Sequence, residues 1–65
     1  MSLGEKLRTL REKRCMTQTD LAAATGLARR SIYNWEKGKS MPKNIGVLEL
    51  LSHALHVDLQ YWSDP

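Results

Sequence analysis

The side chains with the most distinctive chemistry lie close together in the stretch RRSIYNWEK, which covers residues 29–37. This stretch carries two guanidinium groups, a phenol and a carboxamide, at Arg29, Arg30, Tyr33 and Asn34. All four groups donate hydrogen bonds, and the two guanidinium groups are always charged. Donors of this kind suit a partner rich in phosphate and carbonyl acceptors. Without further context, an arginine pair on a helix can equally be a solvated face.

A helical wheel at about 100° per residue divides this stretch into two faces. Ile32 and Trp35 fall on the inward face, and Arg29 lies at the flank near the N-terminal end. The residues roughly opposite are polar or basic: Arg30, Tyr33, Asn34 and Lys37. The pattern therefore predicts an amphipathic helix, beginning near Ala28 or Arg29, with a basic outer face.

A shorter helical pattern precedes this helix. Thr17 and Asp20 have the spacing of an N-terminal cap, and Gly26 can adopt the left-handed turn that ends a helix. Ala22 has no long side chain to hold the following helix away. Two short helices joined in this way predict a helix-turn-helix over residues 18–37.

The remaining sequence predicts three more helices. Ser2 and Glu5 form a capping box at the start of a helix that covers about Leu3–Arg14. Asn44 and Asp58 can cap a fourth helix and a short fifth one. The fourth helix has a predicted buried stripe made of Ile45, Leu48, Leu51 and Leu55. The 65 residues therefore predict an all-α fold of five helices, without strands, that forms a single domain over residues 1–65.

Charge is distributed unevenly along the chain. The net charge is +3, but all ten Lys and Arg residues lie between Lys6 and Lys43. Only acidic charged residues follow: Glu49, Asp58 and Asp64. We expect a basic face for a polyanion and a separate face for another contact, such as a partner subunit. Chance clustering on solvated helix faces is the alternative.

Composition excludes several classes of protein. The chain has no apolar run near the roughly 20 residues that span a bilayer, and no apolar region follows Met1 as in a signal peptide. We therefore expect the cytoplasm. Cys15 is the single cysteine, which excludes an internal disulfide, and we expect its thiol to be packed between helices. His53 and His56 lie far from Cys15, so we expect no metal site. No nucleophile–base pair, Gly-rich phosphate loop or carboxylate pair stands out, so we expect no cofactor or catalytic residue.

Taken together, these residues resemble the lambda-repressor-like helix-turn-helix family, which includes phage repressors, Cro proteins and bacterial regulators of the XRE type. The resemblance covers nearly the whole chain. It rests on Leu10, Arg11, Gln18, Leu21-Ala22, Gly26-Leu27, Ser31-Ile32, the run from Trp35 to Lys39, Pro42, and Ala54-Leu55 followed by Val57. The resemblance implies a compact five-helix domain that binds operator DNA, usually as a two-fold dimer, with its third helix in the major groove.

Three departures from the family pattern stand out. Ala28 replaces a frequent Ser or Thr, so the third helix loses a side-chain cap worth about 1 kcal/mol. The interval from Pro42 to Ala54 is about one residue longer than usual, and His56 replaces a frequent Gly. Ala28 also lacks a hydroxyl that could contact a phosphate, whereas neither of the other two changes touches the face of the third helix that is expected to contact DNA.

The resemblance assigns roles to the polar residues of the third helix and its surroundings. Arg29 and Arg30 are expected to bond to guanine and Asn34 to adenine, while Tyr33 contacts either a thymine methyl group or a phosphate. The expected phosphate contacts are Gln18, Ser31, Lys37, Lys39, Ser40 and Lys43. Lys13 and Arg14 are expected to add only to the general positive field.

Two further contacts are expected within the chain and between copies. Arg11 and Glu36 occupy positions that form an ion pair in the similar family and would fix the angle of the third helix. We expect a homodimer, at least on DNA, with Leu59, Tyr61 and Trp62 at its interface. Alternatively, Leu59 and Trp62 close the small core of one chain.

The sequence supports two functions of different classes. The first is a transcriptional regulator, a repressor or Cro-like protein, that binds a palindromic double-stranded operator in a bacterial cytoplasm or nucleoid, or in a phage-infected host. The second is an antitoxin whose main task is to mask a protein toxin, with secondary or no DNA binding. The basic residues of the third helix favour the regulator.

Overall fold

The computed structural model of the chain describes residues 2–63, and its regular structure in that range consists of helices alone. The five helices are α1 (Leu3–Lys13), α2 (Gln18–Thr25), α3 (Arg29–Lys37), α4 (Ile45–Leu55) and α5 (Gln60–Ser63). The predicted all-α class and the five helices are confirmed, with boundaries within a residue or two of those expected. None of the helices within residues 2–63 is long and apolar enough to cross a membrane.

Side-chain caps begin the first two helices, as their sequences predict. The backbone N–H of Glu5 donates to Ser2 Oγ at 3.2 Å, and that of Asp20 donates to Thr17 Oγ1 at 3.0 Å. The Thr17 backbone N–H donates to the Asp20 carboxylate and, with the Thr17 side chain, holds the pKa of that carboxyl below its usual 3.8. At α3 the N-cap residue Ala28 makes no such bond, as expected.

Left-handed residues end three of the helices. Gly26 and Gly38 both have φ of 76° at the C-caps of α2 and α3, where a residue with a Cβ would be strained. His56 adopts a similar conformation after α4, with φ of 59°. Cys15 has φ of 57° in the turn after α1 and is exposed. The expectation of a packed thiol was wrong, because this turn lifts the side chain out of the helix interface.

The core lies where α1, α2, α3 and α4 meet, and Trp62 of α5 closes it. Its fully buried side chains are Leu7, Leu21, Ile32, Leu51 and Leu55. The predicted stripe of α4 is only partly correct, since Leu48 is half-buried and Ile45 is 63% exposed. The first turn of α4 therefore extends beyond the core and leaves Ile45 at the surface.

Helix α1 approaches the C-terminal end of α3 very closely at Gly4. A Cβ atom at this position would overlap the Trp35 carbonyl oxygen and lie 3.1 Å from that of Glu36. Both obstacles are backbone atoms, which cannot rotate away as a flexible side chain can. Only glycine therefore permits this contact without moving one helix relative to the other.

We expect Gly4→Ala to lower the free energy of unfolding by about 1–3 kcal/mol, because the added methyl group overpacks the contact between α1 and α3. The matched control is Gly46→Ala, where a Cβ would meet only the Asn44 side chain, at 3.2 Å. That change should alter stability by less than about 1 kcal/mol, since alanine also favours the helix. Urea unfolding followed by tryptophan fluorescence measures both, and equal effects would contradict the contact.

Candidate nucleic-acid interface

Helix α3 is held by its inner face and presents its outer face to solvent. Ile32 is fully buried and Trp35 is 8% exposed, which fixes this face against α1 and α2. Arg29 and Arg30 are exposed, and Tyr33 is 37% exposed. The two faces predicted by the helical wheel are therefore present, and the polar face is free to contact a partner.

The four residues predicted to contact bases share one surface. Together with Lys39 they line a shallow depression of about 290 Å³, which we call the reading surface: Arg29, Arg30, Tyr33, Asn34 and Lys39. Asn34 is half-buried, while the two arginine side chains reach into solvent. The reading surface thus combines three cationic groups with a carboxamide and a phenol, and it carries no carboxylate.

A cluster centred on Glu36 fixes the C-terminal end of α3. Arg11 donates to the Glu36 carboxylate through Nε at 2.7 Å and through Nη2 at 3.1 Å, which is a bidentate pair. Its third group, Nη1, donates to the Met16 carbonyl at 2.7 Å. The Gln18 amide donates to the same carboxylate at 3.1 Å. One carboxylate therefore ties α1 and α2 to α3.

The Arg11–Glu36 pair is shielded from solvent, with side-chain exposures of 12% and 4%. Hydrogen bonding to Glu36 raises the pKa of the Arg11 guanidinium, against the opposing effect of burial. The guanidinium therefore stays charged at every ordinary pH. The position of the pair between the helices makes it a fixed support for the angle of α3.

Gln18 and Arg14 have structural roles that the sequence did not indicate. The Gln18 amide group donates to Glu36, so it is already engaged where a free phosphate donor was expected. Arg14 was assigned only to the general field, which was wrong: its Nε donates to the Leu55 carbonyl at 3.0 Å. That carbonyl lies at the end of α4, where a cation stabilises the helix.

The other predicted phosphate contacts differ in accessibility. Lys37, Lys39, Ser40 and Lys43 are exposed along the end of α3 and the loop that follows, whereas Ser31 is half-buried. The ammonium groups of Lys37 and Lys39 each lie 5.7 Å from the centre of the Tyr33 ring. Both distances suit a cation–π contact.

The C-terminal residues expected at a dimer interface are largely engaged within the chain. Trp62 is 8% exposed, and its Nε1 donates to Ser52 Oγ at 2.7 Å. Lys6 is buried and donates to the Tyr61 carbonyl at 3.2 Å, a contact that sequence reasoning missed. Leu59 is half-buried. This arrangement favours the alternative for Trp62, which closes the core, while Leu59 lies half-buried at its edge.

Beside α5 lies a groove of about 430 Å³ with an apolar lining. We call it the apolar groove, and its apolar side chains are Leu3, Ile45, Leu48, Leu59 and Trp62. No charged side chain lines it. It shares no residue with the reading surface.

Comparison with known proteins identifies the class. The family model for helix-turn-helix proteins matches residues 7–62, and the chain belongs to this family. Within it, the chain is of the lambda-repressor-like, XRE type, as its sequence resemblance indicates. The family is one of DNA-binding transcriptional regulators rather than enzymes.

One curated relative is a protein of Pyrococcus furiosus named as a helix-turn-helix-type transcriptional regulatory protein. It is 47% identical over 38 residues, or 58% of this chain. The chain spans only 12% of the length of that relative. The likeness therefore concerns a short part of the archaeal protein and not its remainder.

Several solved structures have the same fold. The P22 c2 repressor protein, solved in complex with a synthetic operator, has a TM-score of 0.87 and 31% identity, with 95% of this chain and 92% of that one covered. The restriction-modification controller protein of Aeromonas hydrophila has a TM-score of 0.85 and 27% identity, with 92% and 89% covered. The biofilm regulator SinR, solved with DNA, has a TM-score of 0.90 and 22% identity, with 95% and 98% covered.

Proposed function

We propose that this protein is a sequence-specific repressor or Cro-like regulator that binds a two-fold symmetric operator as a homodimer. The observation that carries the proposal is the reading surface, where Arg29, Arg30 and Asn34 converge on the exposed face of a helix whose other face is buried. The 31% identity to the P22 c2 repressor, solved on a synthetic operator, supports it. Such a regulator would act in the cytoplasm.

In this proposal α3 lies in the major groove and reads base edges. Arg29 and Arg30 are near its N-terminal end, which approaches the bases most closely in this type of docking. A guanidinium can donate to O6 and N7 of guanine together, and the Asn34 amide can pair with adenine in the same way. The Arg11–Glu36 pair keeps these groups at a constant angle to the groove.

The basic residues around α3 supply affinity without sequence information. Lys37, Ser40 and Lys43 are exposed and can contact phosphates on either side of the groove, and Ser31 and the backbone near Gln18 lie at helix starts that favour anions. Each phosphate contact releases counterions from the DNA when the protein binds. This release becomes less favourable as the salt concentration rises, so the affinity falls.

We also propose that two copies bind together, since one α3 covers only a few base pairs. Two reading helices spaced about one DNA turn, or roughly 34 Å, apart would specify a useful operator length. The apolar groove is the proposed contact surface, with exposed Ile45 and half-buried Leu59 as its outer members. Of the expected interface residues, Trp62 contributes mainly as a wall of the groove.

Selection of duplexes from a randomised pool, followed by sequencing, tests this function. We expect enrichment of a two-fold symmetric site with half-sites about 10 base pairs apart. A regulator of this type also binds the selected duplex at least about a thousandfold more tightly than a scrambled one. Failure to enrich any sequence at physiological salt would contradict the proposal, and enrichment of a single asymmetric half-site would contradict the dimer.

A further inference from the structure

Lys39 lies beyond the end of α3 yet belongs to the reading surface. Its side chain lines the depression with Arg30 and Asn34, whereas Lys43, in the same loop, does not. By sequence alone the two lysines are alike, since both follow the helix and both were expected to contact phosphate. The fold places only Lys39 on the reading surface.

The backbone of Lys39 is fixed against α3. Gly38 turns the chain back with φ of 76°, and the Lys39 N–H donates to the Asn34 carbonyl at 2.9 Å. The side chain therefore starts from a defined point at the helix end rather than from a free loop. This anchoring carbonyl belongs to a residue of the reading surface itself.

The two lysines near the Tyr33 ring line different depressions. Both ammonium groups are 5.7 Å from the ring centre, but each lines a different depression. Lys37 lines the one that contains Arg11, Gln18 and Glu36, while Lys39 lines the reading surface. Tyr33 lines both. Lys37 therefore lies in the depression that contains Arg8, Arg11 and the Glu36 carboxylate, and Lys39 lies in the depression without a carboxylate.

We propose that Lys39 contacts a base rather than a phosphate, and that it extends the half-site read by α3. A cation–π contact positions the ammonium without using its three N–H donors. Those donors suit guanine O6 and N7, which are exposed in the major groove. Tyr33 is thus a positioning residue for Lys39. This inference rests on the proposed function, and it concerns the role of one residue within it.

Selection from a randomised pool with Lys39→Ala, Lys39→Arg and the matched control Lys43→Ala tests the inference. Lys39→Ala should reduce the preference at one position of each half-site by about tenfold and leave the other positions unchanged. Lys39→Arg should retain a preference there, because a guanidinium also bonds to guanine. Lys43→Ala should weaken binding to the selected and scrambled duplexes by the same factor. It should leave the base preference at every position of the site unchanged.

The inference fails if Lys39→Ala behaves as Lys43→Ala, with a uniform loss of affinity and an unchanged site. That result would make Lys39 a phosphate contact while leaving the regulator proposal intact. If the unmodified protein enriches no sequence, the regulator proposal itself fails and this inference fails with it. The two failures are distinguished by the selection on the unmodified protein.

Discussion

Glu36→Gln is expected to lower the free energy of unfolding by about 3 kcal/mol, because it leaves the Arg11 charge without its carboxylate in a largely buried place. The amide keeps the shape of the side chain but can accept only at one atom. It therefore cannot satisfy Nε and Nη2 of Arg11 together with the Gln18 amide, as the carboxylate does. For a domain of this size, this loss is a large part of the total stability.

Glu12→Gln is the matched control for that prediction. Glu12 pairs with Arg8 at 3.3 Å, but the side chains are 56% and 61% exposed, so the solvent screens the pair. We expect a change below about 0.5 kcal/mol. Urea unfolding followed by the fluorescence of the two tryptophans measures both variants. Similar losses in the two variants would show that the Glu36 cluster has no special role.

Arg30→Ala is expected to weaken binding to the selected operator by at least about thirtyfold. Each bidentate contact to guanine is worth about 1–3 kcal/mol, and a dimer makes the contact twice. Affinity for a scrambled duplex should fall much less, because only the charge is lost there. Stability should be unchanged, since Arg30 is exposed and alanine favours the helix.

Lys13→Ala provides the comparison for Arg30→Ala, since it also removes one exposed cation but lies at the end of α1, outside the reading surface. Fluorescence anisotropy of labelled duplexes at fixed salt gives both affinities for each protein. Equal losses on the selected and scrambled duplexes for Arg30→Ala would mean that this arginine contributes charge alone.

The features that the sequence predicted correctly depend on residues close together in the chain. The capping boxes at Ser2 and Thr17 join groups three residues apart, and Gly26 and Gly38 adopt their turns locally. The amphipathic face of α3 follows from helical periodicity alone. These local rules fixed the number of helices, their approximate ends and the side of α3 that meets solvent.

Local rules of this kind could not predict contacts between residues far apart in the chain. Lys6 donates to the Tyr61 carbonyl and Arg14 to that of Leu55, 55 and 41 residues away along the chain. Nothing local in the sequence indicates that a helix end will lie beside either side chain. The close approach at Gly4 was missed for the same reason.

The sequence indicates which residues of α3 lie on its outer face, but not which residues of other segments lie beside them. The helical wheel identifies Arg30 and Asn34 as outer residues, while only the fold brings Lys39 beside them. Similarly, Gln18 has the position of a phosphate donor, and only the fold places its amide against Glu36. A hydrogen-bond partner such as Glu36 lies on another helix. It can therefore be predicted only when the relative positions of the helices are known.

A mutant cycle between protein and DNA tests the central claim, that α3 reads bases in the major groove, most directly. The selected operator is prepared with guanine or with 7-deazaguanine, which lacks the N7 acceptor, at the position that Arg30→Ala relaxes. Affinities are then measured for the unmodified protein and for Arg30→Ala. We predict that the base change lowers the affinity of the unmodified protein about tenfold and leaves the affinity of Arg30→Ala almost unchanged. Equal costs in both proteins would contradict the claim, because the arginine and the base would then act independently.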